Sequence, residues 1–177
     1  RIEEAIKLFK EGQKLPQSLG AGIWNHCKLI PLKYHEARCL EILNRKEEAN
    51  EIFNYIANVT IEYFSNMHLK ELPYYQAKAY QHLGENLKGQ HLITKYFREW
   101  KKMIDIKDNG YFGTTPFFIP FVDDPKKLRK AQWNYLMALC HDYMGRPEEA
   151  KKYITESSEQ NADFLFAKFY KQYGFLK

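Results

Sequence analysis

Residues 135–150 read YLMALCHDYMGRPEEA. An apolar run with helical spacing stops at Gly145-Arg146-Pro147, and two acids and an alanine follow at once. Proline suits the first turn of a helix, and acids there complement the positive end of the helix dipole. The stretch therefore predicts a helix, a tight turn and a second helix running back. The same triplet stands at Glu3-Glu4-Ala5 and at Glu47-Glu48-Ala49, the latter after the short turn Asn44-Arg45-Lys46. A large apolar residue follows each alanine by four positions: Phe9, Phe53 and Ile154. The small alanine lets the second helix approach the first, and the large residue one turn on fills the gap between pairs.

Outward from these signatures, helical periodicity dominates the chain. In RIEEAIKLFKE (1–11) the residues Ile2, Ala5, Ile6, Leu8 and Phe9 form one stripe, broken by Pro16, Gly20 and Gly22. A helix is expected after Pro31 and another from Lys46, its end blurred by the β-branched cluster at 58–61. After Pro73, YYQAKAYQHLGENL (74–87) reads as helix, with Gly84 inside it as a point of close helix approach and Lys88–Gln90 as the turn. Its partner is HLITKYFREWKKMI (91–104), with Ile93, Phe97, Trp100 and Ile104 on one face. Asp124 and Pro125 read as the cap and first residue of PKKLRKAQWNYLMALCHDYMG (125–145). PEEAKKYITESSEQ (147–160) returns, and NADFLFAKFYKQYG (161–174) closes with Gly174 as a terminal cap. No segment alternates with the period of a strand. The expected fold is all-α: seven or eight helices in a right-handed α-α superhelix of helix pairs, one domain over residues 1–177.

Composition narrows the class. The chain has 177 residues, 45% apolar and 28% charged, which is ordinary for a globular domain; the 16% aromatic share is high. A formal net charge of +5, with lysines and glutamates interleaved, argues against a nucleic-acid partner. Three widely separated cysteines, Cys27, Cys39 and Cys140, argue against a disulfide scaffold and for a reducing, cytoplasmic compartment. No apolar run is long enough to span a membrane. The chain opens inside an amphipathic helix without Met and reads as a fragment of a longer protein.

GRPEEA (145–150) below YLMAL (135–139), and AYQHLG (79–84), resemble the tetratricopeptide-repeat pattern. Ala49 and Ala150 stand close to three such repeat lengths apart, with a degenerate copy between them at Tyr80, Leu83 and Gly84. That copy has Thr94 or a neighbour where alanine is usual, and the insertion at 106–124 breaks the period. The order LPQSLGAG (15–22), KYHEA (33–37), PYYQAKA (73–79), YFGTTPF (111–117) and GRPEEAKK (145–152) further resembles the C-terminal region of large bacterial proteins of unknown function. In those proteins a galactose-mutarotase-like β-sandwich precedes a tetratricopeptide tail. The helical array is expected to be a protein–protein or domain–domain interaction scaffold whose partner is a protein, a peptide or the upstream domain. The resemblance implies a carbohydrate context, and the alternative is a non-catalytic accessory region of a carbohydrate-active or carbohydrate-binding protein that contacts a glycan.

The chemistry-bearing residues carry no catalytic signature. His26, Cys27, His35 and Cys39 invite a zinc reading, but adjacent residues do not face together on a helix, so buried thiols are expected instead. No nucleophile motif occurs, and no cofactor, metal or enzymatic step is expected. On the aligned first helices, the concave face of a superhelix would present Tyr34, Arg38, Lys78, Gln81, Glu85, Lys88, Gln132, Tyr135 and Asp142 as the partner-binding set. The carboxylate clamp of some tetratricopeptide proteins needs asparagines where this chain has His35, His82 and Leu136, so that mode is not expected. The aromatic insertion is expected to be a structural plug, with Phe117, Phe118 and Phe121 packed on the helices of 73–104 and 125–145.

Overall fold

The computed structural model describes residues 1–14, 29–60, 70–104 and 125–175. Among them the chain is all-helical: α1 (Ile2–Gly12), α2 (Ile30–Ile42), α3 (Lys46–Asn58), α4 (Leu72–His82), α5 (Asn86–Ile104), α6 (Pro125–Tyr143), α7 (Pro147–Gln160) and α8 (Leu165–Tyr173). The segment 15–22, the His26-Cys27 pair, Asp124 and the aromatic insertion, with the plug expected of it, lie outside the described residues. No described helix is long and apolar enough to cross a membrane.

The chain divides into two compact units, Arg1–Ile93 and Thr94–Lys177. In the first, α1 packs on α2, α2 on α3, and α4 on both α3 and α2. The α1–α2 contact encloses a carboxylate: Glu36, buried, accepts from Gln13 Nε2 at 2.7 Å and pairs with Lys10 at 3.6 Å. Side chains of α4 finish α3. Gln76 Nε2 donates to the Val59 carbonyl at 2.9 Å, and the Tyr80 hydroxyl donates to the Ala57 carbonyl at 3.1 Å. These carbonyls have no partner within their own helix, so α4 satisfies what the end of α3 leaves open. In the second unit α6 packs on α7 and α7 on α8. Buried Ser157 of α7 ties the first pair by donating to the Ala131 carbonyl of α6 at 2.7 Å.

Three helix–helix junctions are the same object. Each first helix ends in a residue with left-handed backbone: Asn44 at φ 59°, Gly84 at 79° and Gly145 at 69°. The amide of that residue donates three residues back, to the carbonyls of Glu41, Gln81 and Asp142. The next amide reaches five back, from Arg45 to Leu40, Glu85 to Tyr80 and Arg146 to His141. This pair of bonds is the Schellman arrangement, which satisfies the last carbonyls of a helix and reverses the chain. Four residues further on, the amides of Ala49, Gly89 and Ala150 close the first turn of the second helix. All three of these small residues are buried, and so are Phe53, Ile93 and Ile154 one turn later.

This geometry moves the middle copy. The expected turn at Lys88–Gln90 is helical, inside α5, and the chain turns at Leu83–Glu85. Gly84 is not a helix-contact glycine, because a side chain there would meet nothing within 4 Å. Its role is backbone freedom at positive φ. Gly89, not Thr94, holds the alanine position. The copies are consequently 40 and 61 residues apart rather than evenly spaced, and the longer step contains residues 105–124. A weaker fourth echo ends α8. Ala37, Ala77, Ala138 and Ala167, all fully buried, each stand seven residues before Asn44, Gly84, Gly145 and Gly174. Gly174 closes α8 with a single bond to the Tyr170 carbonyl, and Phe175 stacks on Tyr170.

Candidate functional site

Tyr34, Arg38 and Lys78 meet in the first unit around His82, which the sequence placed only where a clamp asparagine would stand. Its Nδ1 lies 3.0 Å from the Glu41 carboxylate and its Nε2 lies 3.2 Å from the Tyr34 hydroxyl. Glu41 in turn pairs with Arg38. The neutral tautomer that satisfies all partners carries its proton on Nδ1 and accepts from Tyr34 on Nε2. The His82 ring stacks flat on Phe53 at 4.4 Å. One imidazole from the end of α4 is thus fixed by two residues of α2 and one of α3. Burial holds its proton affinity below the ordinary histidine range; Glu41 works against that, while Arg38 and Lys78 add to it.

Beside it, His35 of α2 stacks on Phe9 and meets the rings of Tyr34 and Tyr75 edge-on. Burial first, then the Arg38 charge, lower its pKa to about 4. A relay of carboxylate, imidazole and phenol is chemically able to pass a proton. Here the acceptor nitrogen is taken by a tyrosine that is only 3% exposed, so the network ties α2 to α4. Its outer members, Arg38, Glu41 and His82, remain partly exposed and present a cation, an anion and a neutral ring side by side.

The predicted partner-binding set is divided between the two units, and two of its members, Tyr34 and Tyr135, are buried. Tyr34 was expected to be an exposed anchor; it is buried, because Phe53, Tyr75 and His82 surround its ring. Arg38 is half-buried on α2 and Lys78 half-buried on α4, with its ammonium 5.8 Å from the Tyr74 ring centre. Gln81 is exposed at the end of α4. Glu85 and Lys88 were placed on a first helix; with the turn at Leu83–Glu85, Glu85 sits in the turn and Lys88 in the first turn of α5. They pair at 2.6 Å, and that bond raises the Lys88 pKa. The other three belong to the second unit. Gln132 and Asp142 are half-buried, whereas Tyr135 is 1% exposed, walled in by Phe164, Phe166 and Tyr170.

His82 and Glu41 were missed because they stand 41 residues apart, and nothing local pairs them. The thiols are quiet: burial pushes both Cys39 and Cys140 up, the latter strongly. Among the described residues no three or more His, Cys, Asp or Glu side chains gather as a metal set. Comparisons with protein-family models, with curated proteins and with solved structures found no match.

Proposed function

We propose that this chain is a tetratricopeptide-like interaction module, a right-handed superhelix of helix pairs that binds a protein or peptide segment and performs no chemistry of its own. The threefold recurrence of the Schellman junction, with its small residue and the large residue one turn on, carries the reading. Such repetition is how helix pairs that cannot bury their apolar faces alone build an extended binding surface. The groups offered to the partner are the exposed or half-buried members of the set in the first unit: Arg38, Lys78, Gln81 and the Glu85–Lys88 pair. Arg38 is already oriented by Glu41, which lowers the entropy lost when it grips a ligand.

Selection of displayed random peptides on the full chain tests this. The expected result is a consensus peptide whose affinity falls about tenfold on Lys78→Glu with Gln81→Ala, while Lys7→Glu, on α1, leaves it unchanged. No enriched consensus, or a consensus indifferent to both variants, would overturn the reading.

A further inference from the structure

The C-terminal half of α5 carries an unusual arrangement. Arg98, Lys101 and Lys102, spaced three and four residues apart, fall on one helix face and are all exposed. Among the described residues none of the three has an ion-pair partner. With Phe97 they line an open cleft of about 460 Å³. Like charges one turn apart repel, and a helix surface ordinarily relieves this by interleaving acids. Here Glu99 is the one acid among the cations of 94–104 and 125–134, where eight lysines and arginines stand. The cleft floor is a half-buried ring and the aliphatic stems of the three long side chains, whose charged heads form the rim.

We propose that this cleft docks an acidic protein segment bearing one apolar anchor. The cationic rim selects for carboxylates and steers their approach, while the floor takes a single large apolar side chain. A bare polyanion would leave the floor unfilled, and an apolar helix would leave the three charges uncompensated. The inference rests on the chain being a protein-binding module and places a contact of that module on α5, in addition to Arg38 and Lys78.

The test uses the full chain and a fluorescein-labelled 15-residue peptide of Glu and Asp with a central Leu-Phe pair, followed by anisotropy. Saturable binding is expected, weakening with salt. It should fall at least about tenfold both on Lys101→Glu with Lys102→Glu and on replacing Leu-Phe by Ser-Ser in the peptide. Circular dichroism checks that the double variant folds; Arg98→Gln, a milder change, should weaken binding in the same direction. The inference is overturned by absence of saturable binding, by affinity that ignores these substitutions, by equal binding of the Ser-Ser peptide, or by a single-stranded oligonucleotide of equal charge displacing the peptide. If the displayed-peptide consensus still depends on Lys78 while this peptide fails, the module reading stands and the α5 site alone falls.

Discussion

His35 is a residue whose charge state the first unit controls strongly. Folded, its pKa lies at about 4; unfolded, it lies near the ordinary 6.5. Between those values the unfolded chain binds the proton and the folded chain does not, so stability falls as pH drops from about 6.5 to 4 and levels below that. The loss attributable to His35 is on the order of 3 kcal/mol. His82 and His141, also held below their ordinary values by burial, act in the same direction. His35→Phe keeps a ring against Phe9 and removes the titration. Urea midpoints at pH 7 and pH 4 should therefore converge in the variant relative to the parent. An equal acid loss in both would show that His35 is not held neutral. Little of this was legible in the sequence. Tyr34 and His35 are neighbours on α2, but the rings that pack against them come from α1, α3 and α4, and contacts between distant segments leave no local pattern.

At the scale of elements, the boundaries that proline and glycine mark were legible and the one they mark ambiguously was not. Pro147 and Pro125 open their helices as the missing amide requires, and Gly174 closes α8. Between α4 and α5 two glycines lie five residues apart, and sequence alone assigned the turn to the wrong one. What separates them is backbone conformation. Gly84 takes the left-handed state that most side chains resist, and Gly89 takes the buried, small position equivalent to Ala49 and Ala150. The alanines equivalent to Gly89 were read correctly, since small-then-large spacing is a local signal. Ala49 and Ala150 are fully buried. Enlarging either to leucine should destabilise the fold by about 1–3 kcal/mol through overpacking. Unchanged denaturation midpoints for both variants would mean that these positions do not hold the helix pairs together.

Over the whole molecule, the all-helical class followed from periodicity, and the likeness of the first and third junctions followed from the Glu-Glu-Ala signature, which the middle junction lacks. The uneven spacing of the copies did not, because two steps of 40 and 61 residues sum to a distance that mimics three equal ones. If the junctions at 43–49, 83–89 and 144–150 are copies of one physical unit, one can replace another without loss. Transplanting the third junction into the first puts this to the test. Leu43→Met, Asn44→Gly and Lys46→Pro convert the first junction into the sequence of the third. A control places the same glycine and proline one residue early, Leu43→Gly with Arg45→Pro, which removes the amide that bonds to Leu40. Thermal and urea unfolding of the transplant should match the parent within about 1 kcal/mol, while the control loses about 3 kcal/mol or more. A transplant as unstable as the control would contradict the equivalence of the junctions and, with it, the proposed superhelix of helix pairs.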